Sequence, residues 1–245
     1  RGVADARISG HVGPEKRRLK LLPSIAGEYK PPGDAYDEML TAEGEVRPGW
    51  EEFLETFQSL GSKALKARWK SVRRLLRENG VTFNVHDAKD GLDRMWELDP
   101  FPVILTRSDW EELERGLVQR AHLMETLLED VYGEQRCLRE GWLPPALIYG
   151  HPNFLRPCHG LPIRGNRRLM LYSVDIARTA DGNMVALRDR AEAPVGCGYA
   201  LENRLALTRM LPEFFQGKRV RKVAPFFRSL QQTLHDVPSA TPRVV

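Results

Sequence analysis

The sequence contains little cysteine and none of the common metal-binding or catalytic motifs. Its 245 residues include 3 cysteines, Cys137, Cys158 and Cys197, which are far apart and odd in number. No CxxC pair, HExxH pair, GxSxG elbow or Walker-type phosphate loop occurs. A disulfide framework and a structural zinc site are therefore not expected, and a reducing cytoplasm is the simplest setting.

Long apolar runs are also missing. No stretch approaches the roughly 20 apolar residues needed to span a bilayer, so we do not expect a membrane partner. The chain begins at Arg1 without an initiator methionine or an apolar signal core, which suggests the cut start of a longer polypeptide. With 42% hydrophobic and 29% charged residues, its composition is that of a globular protein.

The excess of positive charge is small. The formal net charge of +4 is too low to indicate a nucleic-acid partner by itself. A basic face between Lys63 and Arg77 could follow a phosphate backbone, but few aromatic residues are interleaved with it for bases to stack on. The solvated side of an amphipathic helix is the commoner interpretation, so we do not expect nucleic-acid binding.

Two long helices are predicted in the first part of the chain. Apolar residues recur every three or four positions over residues 50–76, with a break at Gly61 that predicts either two helices or one bent helix. A second helix begins at a predicted capping box formed by Ser108 and Glu111, and it closes at Gly133.

Composition divides the chain into three predicted regions of an α+β protein. Residues 1–34 form a loosely packed arm, residues 35–145 are mainly helical, and residues 146–245 combine short strands with helices. The hairpin Leu171–Pro194 is the centre of the third region, because Asp181-Gly182 between two alternating runs is a strong hairpin turn. Extended segments are predicted at 81–85, 99–105, 146–149, 169–176 and 184–188, and a further helix at 224–234.

Two carboxylates stand almost equally far from this turn. On an antiparallel hairpin, Asp175 and Asp189 become cross-strand neighbours to within about one residue of register. Such carboxylates repel unless a cation lies between them, and Mg²⁺ prefers this kind of ligand. Arg178 and Arg190 could bind phosphate through paired hydrogen bonds. Surface ion pairs within an ordinary hairpin explain the same spacing, and spacing alone favours them.

A second candidate site precedes the next helix. Gly196 and Gly198 flank a residue just before the helical pattern, where free backbone N–H groups could bind an anion. Asn203 and Arg204 on the first turns could assist. A plain turn accounts for the same residues.

The order of several short motifs resembles a known family. The most specific of them, Gly-Tyr-Ala-Leu-Glu-Asn-Arg, covers residues 198–204, and the resemblance runs from about Tyr36 to the C-terminus. The succession is similar to the circularly permuted ATP-grasp proteins of the glutathionylspermidine-synthase-like kind, and this chain resembles their N-terminal half. The other motifs are Tyr36-Asp37-Glu38, Arg47-Pro48, 80–83, 96–102, 116–120, 130–133, 175–178, Asp181-Gly182, Asp189-Arg190 and 194–197.

The resemblance implies an ATP-dependent carboxylate–amine ligase that acts through an acyl phosphate with Mg²⁺. It implies that Asp175 and Asp189 are metal ligands, and that Arg178 and Arg204 bind phosphate or a substrate carboxylate. Residues expected to contact the nucleotide are Arg190, Gly196, Gly198 and Asn203. The substrates would be a small-molecule or peptide carboxylate and an amine, and the remaining C-terminal half of the fold would be a partner.

Two departures from the family pattern limit this expectation. Ala191 stands where a third oxygen ligand is expected. The chain also ends before the region in which such proteins supply a nucleotide-binding lysine, so we do not expect the fragment alone to be a competent ligase. A non-catalytic ATP-grasp-like binding module is the alternative.

Overall fold

The computed structural model describes residues 29, 31, 33–83, 94–162, 167–192, 194–216 and 220–236. Helices and one antiparallel pair of strands form within these residues, which confirms the α+β class. The predicted arm, 1–34, lies almost entirely outside the described residues.

Within the described residues, four helices precede the pair of strands and three helices follow it. The helices are α1 (Trp50–Glu78), α2 (Arg107–Val131), α3 (Arg136–Arg139), α4 (Pro145–Tyr149), α5 (Cys197–Met210), α6 (Pro212–Phe215) and α7 (Ala224–Asp236). The strands are β1 (Ser173–Arg178) and β2 (Met184–Arg190), which follow a short 3-10 turn at Arg156–Cys158.

The first long helix forms where the apolar periodicity predicts it. Gly61 adopts φ 69° and ψ 159° inside α1, so the predicted break is confirmed. Gly tolerates this conformation because it lacks a Cβ atom. The opposite face of α1 is largely exposed, and its Arg68 forms an ion pair with Glu213 at 2.7 Å.

The core lies where α1 meets α5 and α6. Phe53 is 1% exposed and packs edge-on against Phe214 with ring centroids 5.4 Å apart. Leu76, Met210 and Leu211 are each 1% exposed in the same cluster. Residues on both sides of the predicted boundary at 145 therefore share one core.

Helix α2 begins two residues earlier than the predicted capping box implies. The Thr106 hydroxyl accepts a hydrogen bond from the Asp109 backbone, and the Asp109 carboxylate accepts one from the Thr106 backbone. The prediction of Ser108 and Glu111 was wrong because the same Ser/Thr-to-acid spacing occurs earlier, at Thr106. Along α2 only Val131 is buried, and the rest of its apolar stripe is half-buried or exposed.

Two predicted extended segments differ from the structure. Residues 146–149 belong to α4, because Pro145 occupies the first helical position, where its fixed φ favours a helix. Within the described part of 81–85, pairing is limited to an isolated bridge between Thr82 and Met95. No helix among the described residues is long and apolar enough to cross a membrane.

Candidate functional site

A β-bulge decides which side chains share a face of the hairpin. Near the turn the pairs are Arg178 with Met184 and Ile176 with Ala186, but beyond an irregularity Asp175 pairs with Arg188. Residue 187 is the extra residue of β2. Because side chains alternate between faces, an inserted residue moves everything beyond it to the other face.

The bulge separates the two predicted carboxylates. Asp189 lies opposite Val174, whereas Asp175 lies opposite Arg188, so the two carboxylates project from opposite faces of the sheet. Without the bulge Asp189 would lie opposite Ser173, on the face that carries Asp175. The prediction that they are cross-strand neighbours to within about one residue of register is confirmed, but the expectation that their carboxylates face each other was wrong.

Asp189 binds an arginine from α2. Arg120 donates two hydrogen bonds to its carboxylate, at 3.0 and 2.5 Å, and the Tyr172 hydroxyl donates a third. The hydrogen bonds from Arg120 and then Tyr172 hold the pKa of Asp189 below its ordinary value. Arg120 was missed as a site residue because its contact spans 69 positions in sequence.

Asp175 forms the ion pair that the alternative interpretation of the hairpin predicts. Arg190 donates to its carboxylate at 2.8 Å, and both side chains are 43% exposed. The hydrogen bond from Arg190 is the main cause of a lowered Asp175 pKa. The guanidinium proposed to bind phosphate is therefore engaged within the hairpin.

The geometry of the described residues does not fit a Mg²⁺ ion held between Asp175 and Asp189. Each carboxylate is matched with a guanidinium on its own face of the sheet. In the parts of the chain that the structure describes, no three His, Cys, Asp or Glu side chains cluster as metal ligands would. Their role as metal ligands stays a prediction, and any full coordination shell would need oxygens from elsewhere.

Arg178 holds the hairpin turn against the segment that precedes α1. Its side chain is 12% exposed, pairs with Glu38 at 2.7 Å and donates to the Gly182 carbonyl at 2.8 Å. The guanidinium groups of Arg178 and Arg47 both lie over the Tyr36 ring, 4.8 and 4.0 Å from its centroid. A side chain at Gly182 would collide with this ring, since its Cβ atom would lie 2.7 Å away.

A cleft of about 650 Å³ separates α2 from the hairpin face that carries Asp189. Its size is within the usual range of small-molecule sites. Gly116 leaves the α2 backbone open to it, because nothing lies within 4 Å of where its Cβ would be. The remaining lining is Asp109, Glu112, Leu113, Arg115, Leu117, Gln119, Arg120, Ile176, Arg178, Gly182, Asn183, Met184 and Ala186.

The predicted residues of α5 lie apart from the hairpin. Gly196 precedes the helix with φ 112° and, like Gly198, is exposed. Asn203 accepts a hydrogen bond from the Trp96 indole at 2.8 Å. The structure thus assembles the eight predicted residues as three groups, on the two hairpin faces and on α5.

Arg204 is a partly buried cation. It donates to the Arg221 carbonyl at 2.9 Å and lies over the Phe215 ring, and burial lowers its pKa. Among the described residues no carboxylate forms an ion pair with it. Arg221 pairs in turn with Glu114, which connects this group to α2.

Sequence comparison relates the chain to one family. Residues 102–245 match the circularly permuted ATP-grasp type 2 family. An uncharacterised protein of Mycobacterium bovis is 34% identical over 213 residues, which cover 84% of this chain and 24% of that protein. An uncharacterised protein of Mycobacterium leprae is 32% identical over 82% of this chain and 35% of its own length. An uncharacterised protein of Synechocystis is 30% identical over 83% of this chain and 42% of its own length.

Proposed function

Because the chain belongs to the circularly permuted ATP-grasp type 2 family, we propose that it is part of an ATP-dependent carboxylate–amine ligase. Such a ligase activates a carboxylate as an acyl phosphate, which an amine then attacks, with Mg²⁺ balancing the phosphate charge. The proposed substrates are a small-molecule or peptide carboxylate and an amine. The proposed compartment is the cytoplasm, which the free cysteines of the described residues favour.

The observation that carries this proposal is the family match, which includes α2, the hairpin and α5. The α2–hairpin cleft supports it, because its lining combines apolar with charged side chains. Leu113, Leu117 and Ile176 provide apolar surface, and Arg115 provides a cation for a carboxylate or phosphate. We propose that the cleft receives a substrate.

The chain spans about a quarter of the length of the first Mycobacterium relatives, 24% of each. We therefore propose that further parts of a longer polypeptide complete the nucleotide site. Arg204 fits this arrangement, because a partly buried guanidinium without a described carboxylate partner is suited to an incoming anion. The chain alone is expected to be inactive.

A non-catalytic ATP-grasp-like binding module is the second candidate. The pairing of Asp175 with Arg190 and of Asp189 with Arg120 favours it, because arginines occupy the carboxylates expected to bind metal. Such a module would hold a ligand or a partner in the cleft without phosphoryl transfer.

Calorimetry and turnover assays on the full-length polypeptide separate the two candidates. A ligase must bind Mg-ATP and release phosphate when its substrates are present, whereas nucleotide binding absent even at about millimolar concentration would favour the module. Gly116→Leu should abolish turnover by filling the cleft while ATP still binds, because the cleft is proposed for a substrate.

Ala67→Leu is the control for the cleft. It adds a comparable side chain at an exposed position of α1, outside the cleft. If only Ala67→Leu reduced turnover, the substrate would not bind between α2 and the hairpin. A loss of ATP binding in Gly116→Leu would assign the nucleotide rather than a substrate to the cleft.

A further inference from the structure

Helix α7 carries an apolar stripe that the described residues leave partly exposed. Phe226, Phe227, Leu230 and Leu234 recur at helical spacing along one side, and polar residues occupy the other. No residue of α7 is buried: Phe226 and Leu234 are 41% and 42% exposed, and Phe227 and Leu230 are half-buried.

The length of α7 makes such exposure unusual. A helix of 13 residues is marginal in isolation, and an amphipathic helix gains most of its stability by packing its apolar face. The chain just before α7 is anchored, because Arg221 pairs with Glu114 and lies over the Trp110 ring. The start of the helix is thus held near α2, while its stripe remains partly exposed.

The relatives indicate what covers the stripe. The family match continues through α7, so this helix belongs to the shared fold rather than to an appended segment. The aligned stretch accounts for only 24% of the Mycobacterium bovis relative and 42% of the Synechocystis relative. A longer polypeptide of this family therefore has ample chain with which to pack against α7.

We propose that the apolar stripe of α7 packs into an apolar groove on the remaining part of the ATP-grasp polypeptide. This inference rests on the proposed function in that it takes the chain to be one part of a larger ligase. It adds that α7 joins the two parts. Burial of four large apolar side chains there would exclude water and hold the helix in place.

Substitution on the two faces of α7 tests the proposal. Leu230→Glu places a charge on the stripe, and Gln232→Glu places the same charge on the polar face, where its neighbours one turn away are Arg228 and Asp236. Both variants are made in the full-length polypeptide and in the 245-residue chain. Amide hydrogen exchange over residues 224–236 and the thermal unfolding midpoint are measured.

In the full-length polypeptide, Leu230→Glu should reduce protection of α7 by roughly tenfold or more and lower the midpoint, whereas Gln232→Glu should change neither. In the 245-residue chain the losses from Leu230→Glu should be clearly smaller, because Leu230 is only half-buried there, and Gln232→Glu should again have no effect. Equal losses in both proteins would mean that α7 packs within this chain, and no loss in either would mean that the stripe stays in solvent. Both results overturn the proposal.

Two further measurements separate other occupants and the proposed function. If the 245-residue chain forms a dimer in sedimentation that Leu230→Glu dissociates, a second copy covers the stripe and the proposal fails. The exchange experiment needs no nucleotide. Protected α7 in a polypeptide without ligase activity would contradict the proposed function alone, and an active ligase with unprotected α7 would contradict the docking alone.

Discussion

Two regions of the described structure are each stabilised by a different kind of interaction. Where α1 meets α5 and α6, aromatic and aliphatic side chains are almost fully buried, and Phe53 is among the most buried of them. Between α2 and the hairpin, the main ties are polar: Arg120 with Asp189, and Glu125 with the backbone amides of Arg168 and Leu169. Apolar burial contributes most of the stability of a fold. Partly exposed ion pairs and hydrogen bonds contribute less, but they fix the orientation of the groups that they join.

This difference has a consequence for function. A well-packed core resists change, because loss of a single methylene group is felt. The α2–hairpin region borders an open cleft and can adjust its polar contacts at lower cost. Binding sites are commonly built from such adjustable elements attached to a rigid scaffold.

The largest effect is expected from a cavity in the core. Phe53→Ala should reduce the free energy of unfolding by about 3–5 kcal/mol, because Phe53 is 1% exposed and contacts Phe57, Phe101 and Phe214. Denaturant unfolding measures the change. Leu123→Ala on α2 is the control. Because Leu123 is 52% exposed, its replacement should reduce the free energy of unfolding far less. Similar losses for both would remove the contrast between the two regions.

A smaller effect is expected from the polar tie at the hairpin. Asp189→Asn should reduce stability by about 1 kcal/mol at neutral pH, because it removes the charge that Arg120 and Tyr172 stabilise. The folded pKa of Asp189 is lowered, so this stability is present above the unfolded pKa and is lost as pH falls through the folded pKa. The difference between wild type and variant should therefore vanish in acid.

Asp175→Asn is the matched control for that experiment. It makes the same change on the same hairpin, but the Asp175 side chain is 43% exposed against 21% for Asp189, so solvent screens its attraction to arginine more strongly. We expect a smaller loss, and one that salt reduces further. If Asp175→Asn destabilised the protein as much as Asp189→Asn, the face of the sheet on which an ion pair lies would not determine how much that pair stabilises the fold.

The local elements were largely predictable from the sequence. The break of α1 at Gly61, the hairpin around Asp181-Gly182 and helices α5 and α7 follow from periodicity and turn chemistry, which depend on neighbouring residues. The eight site residues were predicted from the same local patterns and from the family resemblance.

The relative placement of these residues was not predictable in the same way. The bulge at Leu187 occurs in a run without glycine or proline, so no local sequence pattern predicts it. It nevertheless places Asp189 on the opposite face of the sheet from Asp175. Arg120 meets Asp189, and Tyr36 meets Arg178, only through tertiary packing. Equal spacing from a turn predicts a shared face only where the ladder is regular.

The smallest effect is expected from a change that should stabilise the weaker region. Gly116 lies inside α2, and nothing lies within 4 Å of its absent Cβ. Gly116→Ala should therefore increase the free energy of unfolding by about 0.5–1 kcal/mol, because alanine loses less backbone entropy in a helix. Thermal unfolding measures the gain.

Gly198→Ala provides the comparison for that gain, because Gly198 is also helical with open space above it but belongs to α5. Both variants should be stabilised, but only the methyl group at Gly116 enters the cleft. Weaker ligand binding in Gly116→Ala than in the wild type would show that the glycine in α2 keeps room for a ligand at the expense of helix stability. Equal binding in Gly116→Ala and the wild type would mean that Gly116 leaves the α2–hairpin region less stable without serving the cleft.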